Sequence, residues 1–118
     1  MATAKQCRAA IDRLVESVDD VDPDVRAKHI PERTVLCHVR DLDVIFTARL
    51  DSDGVHDLVQ LPGGTEVESK DVRLSLDSDE LIALALGKED FVTAWLRGRI
   101  HVSASVRDML RLRSLFGL

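Results

Sequence analysis

The stretch VRLSLDSDELIALALGKEDFVTAWLRGRIHVSASVRDMLRLRSLFGL, Val72 to Leu118, carries most of the local signals that decide the fold. It begins with apolar and polar residues that alternate over Val72–Leu76, the period of a half-buried strand. An apolar run then ends at Gly87, and a second short run ends at Gly98. Glycine is typical of the position just past a helix end. The stretch therefore predicts a strand followed by two short helices that each stop at a glycine.

Polar residues mark where these helices begin. Asp77-Ser78-Asp79-Glu80 combines short acceptor side chains with acids, and we expect it to cap the helix over 78–86 with its own side chains. Ser105 and Asp108 form a similar pair before the last apolar run. The same rules predict the rest of this half: a helix over 91–97, a strand over 99–103 and a helix from 105 to about 116.

This half of the chain resembles the C-terminal half of a sterol-carrier-protein type-two domain. The resemblance rests on the strand at Val72–Leu76, the helix ending in Gly87-Lys88, the short helix ending in Gly98, and the strand and final helix that follow. Ala104-Ser105 stand where the family usually has Gly and then Asp or Asn. The resemblance implies an apolar tunnel between sheet and helices that holds a sterol, a fatty acid or a fatty acyl-CoA.

The resemblance also implies which side chains border the tunnel. The apolar arcs of the last helix and of helix 78–86 are wider than one buried face requires, which gives modest independent support. The alternative is that these residues are ordinary core. Arg113 falls inside the apolar arc, so it either meets an anionic lipid head or extends to water at the helix end. The predicted site residues are Leu81, Leu84, Phe91, Trp95, Met109, Leu112, Arg113 and Phe116.

The first 70 residues predict one helix and three strands. Thr3-Ala4-Lys5-Gln6 fits a capping box, and apolar residues recur at helical spacing to about Ser17. The acidic cluster Asp19–Asp24 contains Pro23 and lacks the Gly and terminal Glu of a calcium loop, so we interpret it as a solvated connector. Strands are expected over 34–39, 44–50 and 55–61, the last two joined by a turn at Gly54.

These elements predict an α+β fold. Five strands form a mainly antiparallel sheet, and the helices pack on one face of it. At 118 residues the chain is expected to form a single domain over residues 1–118. Two cysteines, Cys7 and Cys37, lack metal-type spacing, and we interpret them as buried thiols in a reducing cytoplasm.

Charge is unevenly distributed along the chain. The net charge is −5, yet the residues from Phe91 onward hold five arginines and one acid. Such an acidic chain is a poor nucleic-acid binder, because neutralisation of phosphates dominates that affinity. The arginine-rich C-terminal region either contacts a membrane or an enzyme transiently, or forms a solvated face.

Residues typical of catalysis are sparse. The four histidines are scattered, and His38, His56 and His101 alternate with apolar neighbours, which places them opposite the expected core. No nucleophile–base order, metal spacing or phosphate-binding loop stands out, so we expect neither an enzyme nor a cofactor. Two hypotheses remain: a lipid carrier, and an interaction domain whose apolar helices bind a second copy or a lipid-metabolising enzyme while the tunnel is closed.

Overall fold

The structure is a computed structural model that describes residues 2–19, 32–51, 53–67, 70–105, 107 and 110. The acidic connector beyond Asp19 and nearly all of the predicted final helix lie outside these residues. In chain order the elements are α1 (Ala4–Asp19), β1 (Arg33–Val39), β2 (Val44–Asp51), β3 (Gly54–Pro62), β4 (Val72–Leu76), α2 (Ser78–Ala85), α3 (Phe91–Leu96) and β5 (His101–Ser103).

The five strands form one sheet in the order β3-β2-β1-β4-β5. Every neighbouring pair is antiparallel except β1 and β4, which run parallel from Val35↔Val72 to Val39↔Leu76. The predicted α+β fold with a mainly antiparallel sheet is therefore confirmed. β5 begins two residues later than predicted, because the backbone N–H of Arg99 donates to the Ala94 carbonyl and belongs to the turn that ends α3.

The β2–β3 hairpin turns where Gly54 was expected to allow it. Asp51 pairs with Gly54, whose φ of 125° is a conformation that favours glycine. A register shift follows between Thr47 and Arg49, and Asp57 adopts a φ of 56° on the facing strand. Such an irregularity inserts an extra residue and changes which side chains point inward. Simple alternation along β3 therefore does not predict its inner face.

Both short helices end in the same hydrogen-bonded turn. After α2, the N–H of Gly87 donates to Leu84 O and that of Lys88 donates to Ala83 O. After α3, the residues Gly98 and Arg99 repeat this pattern. Gly87 and Gly98 have φ of 72° and 78°, the left-handed conformation on which this motif depends. The predicted glycine stops are confirmed.

The start of α2 differs from the sequence-based prediction. Asp77 occupies the N-cap position but its side chain makes no capping hydrogen bond. Instead Asp41, in the β1–β2 turn, accepts from the Ser78 backbone N–H at 2.8 Å and from the Ser78 hydroxyl at 2.5 Å. The predicted local cap was wrong because the carboxylate of Asp41, from a turn that is distant in the sequence, makes these hydrogen bonds instead. At α1, by contrast, Thr3 and Gln6 form the predicted capping box.

The core lies between the inner face of the sheet and the helices. Its most buried members come from every layer: Cys7 of α1, Val39, Phe46 and Leu76 of the sheet, Leu81 of α2, Ala94 of α3 and Ile100 before β5. This arrangement confirms that the described helices pack on one sheet face. Cys37 is half-buried rather than buried as predicted, and both cysteines are free thiols.

Candidate functional site

An apolar cavity of about 440 Å³ lies between the sheet and the helices. Such a volume falls within the ~300–1,000 Å³ typical of sites for small ligands. Residues from four strands form its floor, and they share one face because alternate side chains of a strand point the same way. These floor residues are Val35, Cys37, Ala48, Leu50, Val55, Leu74 and Leu76.

The helices form the remaining walls. Ile11, Leu14 and Val15 project from α1 at helical spacing, so one face of that helix covers part of the floor. Leu81 and Leu84 project from α2, and Phe91 begins α3. Ile100 completes the described apolar wall. The cavity is thus surrounded by elements that are far apart in the sequence.

The polar side of the cavity is a short connection between α2 and α3. Glu89 and Asp90 line the wall there. The glycine turn after α2 fixes this connection, and the N–H of Glu89 also donates to Ala83 O at 3.3 Å. Asp90 is the N-cap of α3, and its Oδ2 accepts from the backbone N–H and the hydroxyl of Thr93, both at 3.1 Å. Two carboxylates are therefore held at the rim by local structure.

Glu89 forms an ion pair with Arg99, which follows the glycine turn at the end of α3. The Glu89 side chain is only 19% exposed, whereas that of Arg99 is 41% exposed. The Nε atom of Arg99 is buried and has no hydrogen-bond partner among the described residues. The pair therefore joins the two helix-ending turns on one side of the cavity.

Cys37 is one of the residues that line the cavity. Burial, and secondarily the nearby Cys7 thiol, raises the pKa of Cys37 to about 12. A thiol with so high a pKa stays protonated at neutral pH, and only the thiolate is a strong nucleophile. Cys37 thus acts here as a small apolar side chain.

The structure places the eight predicted site residues in different situations. Leu81, Leu84 and Phe91 lie in the cavity wall. Trp95 does not line it; its ring packs against Phe91 with centroids 6.0 Å apart and supports that wall residue from α3. The other four lie outside the described residues: Met109, Leu112, Arg113 and Phe116. For all eight residues, contact with a ligand stays a prediction.

Sequence reasoning missed more than half of the described wall. The residues from α1 and from the strands were visible as amphipathic patterns, but a pattern shows only that a face is buried and not what it encloses. In the sequence, Glu89 and Asp90 mark only the start of helix 91–97. Their position at the rim depends on the turn at Gly87, which brings the connection back over the cavity.

The three described histidines do not form a second site. The Nε2 atom of His38 lies 3.1 Å from Oδ1 of Asp43, and Nε2 of His56 lies 2.9 Å from Oδ1 of Asp51. His38 and His101 line a shallow groove on the sheet face opposite the cavity, as the alternation predicted. Across the described ranges, no three His, Cys, Asp or Glu residues come together as a group that could hold a metal ion.

Comparison with known proteins identifies the family. The model of the SCP-2 sterol transfer family matches residues 11–117, so this chain belongs to that family. A search of curated proteins found no matching relative. Among the described helices, none has the length and apolarity needed to cross a membrane.

Solved structures share the fold at low sequence identity. The sec-alkylsulfatase Pisa1 from Pseudomonas sp. has a TM-score of 0.58 and 22% identity over 89% of this chain, which spans only 15% of that enzyme. Sterol Carrier Protein 2 Like 2 from Aedes aegypti has a TM-score of 0.62 and 16% identity over 93% of this chain and 95% of its own. Palmitated SCP2L2 from Aedes aegypti has a TM-score of 0.63 and 15% identity over 99% of this chain and 96% of its own.

Proposed function

We propose that this chain is a non-catalytic carrier that holds the apolar part of a sterol, fatty acid or fatty acyl-CoA in the cavity between sheet and helices. The observation that carries the proposal is the cavity itself, because the wall formed by the described residues is apolar apart from Glu89 and Asp90. Binding is driven by the removal of apolar surface from water, at roughly 25 cal/mol per Å². We extend the proposal to a single lipid-binding domain over residues 1–118 that acts in the cytoplasm.

Two further findings support a carrier. The family is described as a sterol transfer family, and a structural neighbour of 15% identity is palmitated. The described wall holds no hydroxyl, amine or imidazole, and its one thiol stays protonated. Its two carboxylates are already engaged, Asp90 by Thr93 and Glu89 by Arg99. The site is therefore suited to binding rather than to chemistry.

The first test is native mass spectrometry of the purified protein, followed by titration with Nile red, an uncharged hydrophobic fluorescent dye. We expect a co-purified lipid, or saturable Nile red binding at one site per chain that an unlabelled lipid displaces. A clean protein mass together with no saturable binding would contradict the carrier function and indicate a closed core.

A second candidate function is that of an interaction domain with a closed tunnel, which binds a second copy of the chain or docks to a separately encoded lipid-metabolising enzyme. Leu86 and Leu96 are exposed at 47% and 80%, beside the cations Lys88 and Arg97. The alkylsulfatase contains a similar fold as a small part of a longer enzyme. Exposed apolar side chains near positive charge suit transient contact with a protein or a membrane.

The two functions are separable by one surface variant. We expect Leu96→Asp to leave Nile red affinity unchanged, because Leu96 is not in the cavity wall. If docking is the function, the same variant reduces association measured by sedimentation at increasing protein concentration or with added anionic vesicles. Identical sedimentation of both proteins under all conditions would remove self-association and membrane contact through Leu96.

A further inference from the structure

The charged side chains among the described wall residues of the cavity all have one sign. Glu89 and Asp90 are the charged members of the described wall, and both are carboxylates. Asp90 is exposed, so this part of the wall reaches solvent, where the head group of a bound lipid would lie. The other described wall residues are apolar or, in Cys37, a protonated thiol. The polar end of a ligand therefore meets acidic groups first.

Both carboxylates can accept hydrogen bonds but cannot donate them. Asp90 already accepts two bonds from Thr93 through one oxygen, Oδ2. Glu89 is held by Arg99, which is not itself a wall residue. A carboxylate head group at this rim would face two like charges and would have to compete with Glu89 for the guanidinium. A hydroxyl or an amine would instead donate to either side chain.

We propose that this rim selects lipids whose head group is a hydrogen-bond donor without negative charge, a hydroxyl or an amine, over lipids that end in a carboxylate. The inference rests on the proposed function, since it concerns the ligand of the same cavity. It is the opposite of the preference expected if Arg113 met an anionic head. It also distinguishes this chain from the palmitated mosquito protein.

Three ligands with the same alkyl chain test the inference: dodecanol, dodecylamine and dodecanoate, each used to displace Nile red near neutral pH. We expect dodecanol and dodecylamine to displace the probe at concentrations roughly tenfold below that of dodecanoate, which corresponds to about 1.4 kcal/mol. A stronger effect of the amine would identify charge attraction as the source, and equal effects would identify hydrogen bonding; both support the inference. Displacement by dodecanoate at equal or lower concentration would overturn it.

An uncharged alcohol also enters apolar cavities more readily than an ion, so the rim variants are the decisive arm. Asp90→Asn keeps the N-cap of α3, because Asn caps as well as Asp. Glu89→Gln removes the partner of Arg99 and frees the guanidinium for a ligand carboxylate. We expect each variant to bind dodecanoate about five- to tenfold more tightly than wild type, with less than about a twofold change for dodecanol.

Glu66→Gln is the matched control. Glu66 is exposed in the loop after β3, away from the cavity, and its substitution removes one negative charge, as each rim variant does. It should leave the alcohol-to-acid ratio unchanged. A ratio that stays the same in Asp90→Asn and in Glu89→Gln would overturn the role of the rim, while Nile red binding would still support the carrier function. If the wild-type protein does not bind Nile red, that result would instead contradict both proposals.

Discussion

The carboxylate of Asp41 accepts two hydrogen bonds from Ser78, which lies 37 residues further along the chain. Ser78 is fully buried at the start of α2, and its hydroxyl oxygen also accepts from the backbone N–H of Ala2 at 3.2 Å. One serine therefore connects the N-terminal segment, the β1–β2 turn and the helix that forms a wall of the cavity.

Replacement of Asp41 should destabilise the fold. Asp41→Ala removes the cap of α2 and leaves the buried Ser78 hydroxyl without its acceptor, so we expect the free energy of unfolding to fall by about 1–3 kcal/mol. Urea denaturation measures the change. The control is Asp77→Ala at the N-cap position itself. The side chain of Asp77 makes no capping hydrogen bond, and its Oδ1 atom forms a surface ion pair with Nε of Arg40 at 3.4 Å. That variant should lose no more than about 1 kcal/mol; a larger loss than in Asp41→Ala would contradict the distant cap.

The same carboxylate should make stability depend on pH. Burial raises the pKa of Asp41, but hydrogen bonds from Ser78, and then from the backbone N–H groups of Asp41 and Leu42, together outweigh it, so the pKa lies below its ordinary value. When the pKa is lower in the folded state than in the unfolded state, the group stabilises the fold above the unfolded-state pKa of about 3.9. This stabilisation is lost as the pH falls through the folded-state pKa. We expect wild type to lose more stability than Asp41→Asn between neutral pH and about pH 3.

This pH effect is measured as a difference between two proteins, because hydrogen bonds also lower the pKa values of Asp51 and Asp71. Asp51 accepts chiefly from His56, and Asp71 accepts chiefly from Thr34. Both contributions are shared by wild type and Asp41→Asn and therefore cancel. Parallel urea midpoints for the two proteins over the whole acidic range would contradict the assignment to Asp41.

Filling the cavity should abolish ligand binding without unfolding the protein. Ala48 is a small, half-buried residue of the cavity floor, and Ala48→Phe places a ring in the empty space. We expect Nile red affinity to fall at least about tenfold, while the melting temperature changes little because the added volume enters a void. Fluorescence titration and thermal denaturation give the two readouts.

The control for that variant is its neighbour on the same strand. Thr47 pairs with Leu36, which lines the groove on the opposite face of the sheet. Thr47→Phe adds a ring outside the cavity and should leave Nile red affinity within about twofold of wild type. Equal affinity in both variants would show that the probe binds elsewhere.

The Cys37 thiol should resist alkylation in the folded protein. With a pKa of about 12, only about one molecule in ten thousand carries a thiolate at pH 8, whereas an exposed cysteine is substantially ionised there. We expect iodoacetamide to modify Cys37 at least about a hundredfold more slowly in native than in urea-unfolded protein. Peptide mass spectrometry measures both rates. Similar rates in the two states would show that the thiol is exposed to water.

Prediction from sequence succeeded where a signal and its consequence lie within a few residues. The capping box at Thr3 and Gln6, the turn at Gly54 and the helix ends at Gly87 and Gly98 all depend on local backbone conformation. Alternation along the strands likewise identified which face of the sheet is apolar. Leu81, Leu84 and Phe91 were placed at the tunnel by the family resemblance, and they lie in the cavity wall, while their contact with a ligand stays a prediction.

The local rule failed where a distant group competes with a near one. Asp77 had the correct residue type and position for a cap, but Asp41 makes the hydrogen bonds instead. On β3 the irregularity at Asp57 changes the inward face, although nothing in the spacing of apolar residues marks it. Both features depend on how the β1–β2 and β2–β3 connections pack, and that packing is not encoded in any short window of sequence.

The amino-acid sequence by itself determined the elements, their ends and their apolar faces, because those follow from backbone sterics and from the periodicity of burial. Tertiary structure alone decided that β1 and β4 pair in parallel, that α1, the sheet and α2 enclose a space of about 440 Å³, and that Glu89 and Asp90 stand at its rim. These properties arise from contacts between residues that are distant in the chain. A cavity is a relation among several faces, and each face alone shows only that it avoids water.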